Sequence, residues 1–235
     1  SVTGGETIVL EDVRTRLLDE LNGTYFLIIP KRFSYLYPHE QMLALLEKIP
    51  RIHNIVVERS SRTTLSVSFD EYIPQALWCA TDRAVPLCYF LTKDGYAFAE
   101  APALVGGTLI RHSIEGLQEI SEGPVIDSET LSAINAFRDR AENELGFRIT
   151  SLMHTKDGDI HFMINGGGMI YIAKGKDFSE TFENVKSVLA SKEFKHIKPG
   201  NFNYIDARFS NKIFVKEVPD TIATSTEATP AELPE

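Results

Sequence analysis

Apolar positions recur along this chain with two periods, and the change between them divides it. From Val9 to Asn22, residues Val13, Leu17, Leu18 and Leu21 share one face of a helix, and Gly23 stands at the C′ position. A second helix is expected from Pro38, suited to the first helical position, through Met42, Leu43, Leu46 and Ile49 to a stop at Pro50. Two strands follow. Ile52–Arg59 is β-branched, and Thr63–Glu71 alternates with Leu65, Val67 and Phe69 on one side; Ser60-Ser61-Arg62 turns between them. With a short strand at the start, residues 1–71 read strand, helix, helix, strand, strand.

Residues 72–216 are mostly strand, with two helices. Strands are expected at Ala76–Cys79, Leu87–Leu91, Tyr96–Ala99 and Leu104–Arg111, with Lys93-Asp94-Gly95 as a hairpin turn. Asp127 caps a helix that places Leu131, Ile134, Phe137, Ala141 and Leu145 on a core face and ends at Gly146. A second hairpin joins Phe147–His154 to Ile160–Ile164 through Asp157-Gly158, and Gly166–Gly168 turn into Met169–Lys174. Asp177 and Glu180 form a capping-box pattern ahead of Phe178, Phe182, Val185 and Leu189. Phe202–Arg208 and Lys212–Lys216 close the body. No internal repeat is present, and residues 217–235, rich in Thr, Ala, Pro and Glu, are expected to be a disordered acidic tail. The fold class is therefore α+β, with a small first domain and a larger mixed β-sheet domain.

Charge and composition remove several functions. The chain of 235 residues carries −9, and five of its acids (Glu217, Asp220, Glu227, Glu232 and Glu235) fall in the tail, which has no Lys or Arg. The body is mildly acidic and shows no basic cluster interleaved with aromatics, so nucleic acid is not an expected partner. The densest apolar run, Tyr25 to Ile29, is far short of the ~20 residues of a membrane span. No signal peptide precedes it, and an opening at Ser1 without Met leads us to expect that an upstream portion has been cut away. Cys79 and Cys88 are the only two cysteines. Either they are buried thiols in a reducing compartment, or they form a cross-strand disulfide in an oxidising one.

The chemical motifs lead nowhere. Gly166–Gly168 run into strand sequence at Met169-Ile170-Tyr171-Ile172 rather than into Gly-Lys-Ser/Thr, so they mark a turn and no P-loop. His39, His53, His112, His154, His161 and His196 are scattered; His154 and His161 could face each other across the Asp157-Gly158 hairpin, but no third ligand accompanies them. No nucleophile elbow exists, and Cys79, beside Leu77-Trp78, lies in an apolar strand that suppresses thiolate formation. Acids in 139–144 alternate with Arg138 and Arg140 as on a solvated face. No catalytic residue, cofactor site or metal site is assigned.

Several strings carry a resemblance. Ile49-Pro50-Arg51-Ile52, Val56-Val57 and Leu65-Ser66-Val67-Ser68-Phe69 resemble the POTRA domain of the bacterial cell-division family FtsQ/DivIB. Val2-Thr3-Gly4-Gly5 with Glu11-Asp12-Val13 is similar to its opening, with Gly5 where Asn is usual. Glu71-Tyr72-Ile73-Pro74-Gln75-Ala76-Leu77-Trp78 resembles the family's junction, with Tyr72 where Arg is common. Cys88-Tyr89-Phe90-Leu91 with Asp94-Gly95 and Phe98 is similar to a family hairpin, and Tyr204-Ile205-Asp206-Ala207-Arg208-Phe209 with Lys212-Ile213-Phe214-Val215-Lys216 to its closing strands.

The resemblance implies a β-α-α-β-β POTRA domain over 1–71 and a β domain over 72–216. It implies a non-enzymatic scaffold on the extracytoplasmic face of the bacterial membrane at the division septum, anchored by an upstream helix. FtsB- and FtsL-like proteins would be recruited by strand addition at Tyr204, Arg208, Phe209, Ser210, Asn211, Lys212, Ile213, Phe214, Val215 and Lys216. Other membrane division proteins would meet the POTRA domain. The edge-strand reading also stands on physics, since unpaired N–H and C=O groups accept an extended peptide; lysine there serves equally well against aggregation. Two other readings are a POTRA-bearing export or outer-membrane assembly factor and a cell-wall enzyme with an unrecognised site.

Overall fold

A computed structural model describes residues 1–26, 29–31, 35–82, 86–103, 108–210 and 212–219. The first part comprises β1 (Val2–Gly4), α1 (Leu10–Glu20), β2 (Thr24–Tyr25), β3 (Ile29–Pro30), α2 (His39–Leu46), β4 (Ile52–Arg59) and β5 (Leu65–Glu71). β5 is central in a three-stranded sheet, parallel to β1 and antiparallel to β4. Val13 and Leu17 of α1 and Met42 and Leu46 of α2 pack on Ile52, Val57, Val67 and Phe69. The helix periods and the strand alternation therefore meet in one buried cluster, as their spacing requires. Glu11 and Asp12 lie in the first turn of α1, where the helix dipole favours acids. That helix ends one residue earlier than expected, with Leu21 as its C-cap, so Gly23 lies two positions beyond it. Pro38 is the N-cap of α2 rather than its first helical residue.

The second part holds β6 (Ala76–Ala80), β7 (Leu87–Leu91), β8 (Tyr96–Glu100), β9 (Ile110–Ile114), β10 (Gly123–Pro124), α3 (Ser128–Leu145), β11 (Ile149–His154), β12 (Ile160–Ile164), β13 (Met169–Ile172), α4 (Phe178–Ala190), β14 (Phe202–Asp206) and β15 (Phe214–Glu217). All ten strands join one sheet in the order β10-β8-β7-β6-β9-β11-β12-β13-β14-β15. β9 is parallel to both β6 and β11, and β13 is parallel to β14. The other pairs are antiparallel. The described residues thus form a mixed α/β structure with four helices. α3 and α4 cover one face, where Ile134, Phe137, Ala141, Phe182 and Val185 bury against Leu152, Phe162, Ile170 and Ile205. Asp127 and Asp177 cap the two helices by accepting from the backbone N–H of Thr130 and Glu180.

Two strand expectations need correction. The strand set at Leu104–Arg111 lies at Ile110–Ile114, because its two neighbours are parallel and reached only through long connections; 104–107 lie outside the described residues. The last strand begins at Phe214, not Lys212, and runs to Glu217, with Val218 N–H still donating to the Asn201 carbonyl. The body therefore extends past 216 into the expected tail; 220–235 lie outside the described residues. Among the described residues no helix is long and apolar enough to cross a membrane. Cys79 faces Cys88 across β6 and β7, and the two sulfurs are joined.

A candidate partner-binding edge

β15 is bonded to β14 on one side and has no strand on the other among the described residues. Its register sets Phe214 opposite Asp206, Val215 opposite Ile205 and Lys216 opposite Tyr204. Val218 N–H points inward to Asn201, so alternation along an antiparallel strand turns Lys216 inward and aims the N–H and C=O of Val215 and Glu217 at the open side. Side chains divide as the alternation predicts. Ile213 and Val215 pack against the helix-covered core, and Phe214 and Lys216 lie on the opposite face. Phe209 and Phe214, 53% and 49% exposed, meet edge to face at 5.2 Å and form an apolar corner where the strand begins.

The helix-free face beside this edge is an aromatic row. His161 on β12 lies 4.0 Å from Tyr171 on β13, and Tyr171 stacks on Tyr204 of β14 at 5.3 Å. Lys216 Nζ sits 5.8 Å from the Tyr204 ring. Arg208 binds Asp206 through Nε and Nη2 at 2.9 and 2.7 Å and reaches Asp159 at 3.2 Å. These bonds from Arg208 hold the Asp206 carboxyl below the usual carboxylate range, against the upward push of burial. Burial, helped by Arg208, lowers His161, and burial raises Tyr171. Arg208 therefore braces the sheet near its edge, linking the segment after β14 to the loop before β12.

On the helix side, a cleft of about 290 Å³ lies between α4 and the 207–213 segment, lined by Lys176, Thr181, Asn184, Val188, Phe209 and Ile213 among others. Lys176 Nζ donates to Ser210 Oγ at 2.9 Å across its end. Of the residues singled out from the sequence, Phe209, Ser210, Lys212 and Ile213 line this cleft, and Phe214, Val215 and Lys216 form the strand itself. Tyr204 and Arg208 belong to the neighbouring face, and Asn211 lies outside the described residues. The α4 wall was missed. Its signal was present as a stripe at 180, 184 and 187, but a polar stripe reads as a solvated face until a loop is seen to cross it.

The opposite edge of the large sheet offers little. β10 is two residues long and includes Pro124, which has no N–H to give. A larger cleft of about 730 Å³, among Trp78, Phe137, His154, Ile160, Phe178 and Phe182, opens between α3, α4 and the sheet. His154 Nε2 lies 3.0 Å from Nδ1 of the fully buried His112, beneath Trp78. His154 and His161 do not face each other. Met153 is the cross-strand neighbour of His161, and the two imidazoles belong to opposite faces of the sheet. Among the described residues no group of three His, Cys, Asp or Glu is placed to hold a metal ion. No family model matches the sequence, and no curated protein matches it.

Proposed function

We propose that this chain is a non-enzymatic scaffold of the bacterial division machinery, of FtsQ/DivIB type, that takes an FtsB-like partner as an added strand on β15. The observation that carries this reading is the outward-facing backbone of Val215 and Glu217, flanked by the exposed Phe209–Phe214 corner. An edge of this kind supplies main-chain bonds for affinity and side-chain seats for specificity. The cleft beside α4 extends the same surface by a further seat lined by Val188 and Ile213. Apart from the β2–β3 hairpin, which the expected order lacked and which stands between the helices, a strand, two helices and two strands in a sheet ordered β1-β5-β4 support a POTRA-like first domain. In this reading the protein works outside the cytoplasmic membrane at the septum, where an oxidising environment keeps the Cys79–Cys88 bridge. FtsL-like proteins join through the same partner, and other membrane division proteins meet the first domain.

The test is titration with the extracytoplasmic segment of the FtsB-like protein. Wild type should bind at micromolar or tighter affinity. Phe214→Arg and Val215→Pro should each weaken binding by at least about ten-fold, or ~1.4 kcal/mol. Val215→Pro removes an outward donor, so circular dichroism must first show native folding. Absence of wild-type binding refutes the strand-addition reading and turns attention to the 730 Å³ cleft.

A further inference from the structure

Eleven large hydrophobic side chains are exposed among the described residues. Phe209, Phe214 and Val218 belong to the β15 edge, but Leu18, Phe26, Ile29, Tyr35 and Leu36 form a second group that the edge does not explain. The topology gathers them at one end of the small sheet. β1 runs parallel to β5 from the Leu65 end, α1 returns to that end, and the β2–β3 hairpin follows it directly. Arg59, paired with Leu65 at the same end, sits over the Tyr35 ring at 4.0 Å. Phe26 is 92% exposed in the hairpin link, the highest value among these side chains.

We propose that this end of the first domain rests in the headgroup region of a lipid bilayer, with Phe26 inserted and Tyr35 at the interface. The shape and chemistry favour lipid over a protein groove. The apolar side chains come from three separate elements, and two-residue strands leave little edge for a peptide to extend. Lys31 and Arg59 flank the group, and Glu58 points to the opposite face of the sheet from Arg59 by strand alternation. Lys31 pairs with Glu20 at 3.3 Å, and Asp19 is the other acid near that turn. Aromatic and aliphatic tips beside Lys and Arg are the composition that seats proteins at a membrane interface. The chain as a whole is at −9, so general attraction to an anionic surface does not produce such contact. The proposal rests on the extracytoplasmic, membrane-associated reading given above.

Trp78 is the only tryptophan and lies buried in the large sheet, so Phe26→Trp adds a clean probe. The full chain is attached through its amino terminus to phosphatidylethanolamine–phosphatidylglycerol vesicles containing brominated lipid. Phe26→Trp emission should shift to the blue and be quenched, while emission from Trp78 in the wild type is not. In untethered chain, Phe26→Glu should reduce vesicle partitioning by about ten-fold or more, and Lys31→Ala by about five-fold. Both should keep the native circular dichroism spectrum and full binding at β15. Quenching no greater than that of Trp78 overturns the proposal. So does a blue shift that appears without lipid as protein concentration rises, which would make the patch a contact between copies. Loss of β15 binding with vesicle insertion intact would instead remove the partner reading alone.

Discussion

At the scale of single residues, Glu71 shows how much one side chain can organise. Its carboxylate accepts from the backbone N–H groups of Glu6, Thr7 and Ile8 and from the Thr7 hydroxyl, and it pairs with Arg51. The side chain is 1% exposed. Burial alone would raise its pKa, but the bonds from Thr7, Glu6 and Ile8 outweigh it and bring the carboxyl down to about 2 from 4.5. The folded pKa lies below the ordinary one, so this stabilisation is complete above pH 4.5 and is lost as pH falls through 2. Glu71→Gln places an amide where three N–H donors converge and should cost about 2–4 kcal/mol at neutral pH, measured by urea unfolding. A loss under 0.5 kcal/mol, the range of ordinary surface substitutions, would show that water replaces the carboxylate. Glu71 was visible in the sequence as part of the junction string, but its role was not, because the Glu6, Thr7 and Ile8 groups that bind it lie more than 60 positions away.

At the scale of elements, what could be read from the sequence followed local chemistry. Asp127 and Asp177 cap the helices they were expected to cap, and the Asp94-Gly95 and Asp157-Gly158 hairpins fall where their turns require. The parallel partners of β9 were not legible, because pairing across long connections leaves no local period. Nor was β10, whose two residues carry no alternation. Two glycines separate a conformational requirement from a packing one. Both Gly95 and Gly146 have positive φ, at 80° and 72°. A Cβ on Gly146, at the C-cap of α3, meets open space, whereas one on Gly95 falls 1.9 Å from the Ile126 carbonyl oxygen. That approach carries the bonds from Val125 and Ile126 to Gly95 that hold the lead-in to α3. Gly146→Ala should cost about 1 kcal/mol from left-handed strain alone. Gly95→Ala should cost about 3 kcal/mol or more, since a backbone atom must move. Equal costs in chemical denaturation would mean that the hairpin and the α3 lead-in separate freely.

For the whole molecule, the question is what joins and limits its two parts. Tyr72, in the link between β5 and β6, stacks on His53 of the small sheet at 3.9 Å and on Tyr96 and Phe98 of the large one at 5.2 and 5.0 Å. The first body therefore meets the second through a stacked aromatic seam as well as through covalent connection. The large core also contains an acid-sensitive point. His112 is fully buried with no partner for its Nε2 among the described residues, and burial, then the neighbouring His154, then Arg138, lower its pKa to about 3. Burial lowers His154 to about 4. In the unfolded chain both take up protons near 6.5, so between that value and about 4 the unfolded state holds more protons than the native one. Their stabilisation is complete above pH 6.5 and is lost as pH falls toward the folded values. Acid weakening should therefore begin with the histidines, before Glu71 contributes, at a slope approaching ~2.7 kcal/mol per pH unit when both titrate. In urea unfolding followed from pH 7.5 to 4.5, wild type should lose stability steadily. The His112→Leu, His154→Leu double variant should lose much less, because no imidazole remains to be charged on unfolding beneath Trp78 and only the shallower contribution of His161 is left. A wild-type decline that survives unchanged in the variant would place the acid sensitivity elsewhere, with His161 on the helix-free face the next group to substitute, since burial lowers its pKa as well.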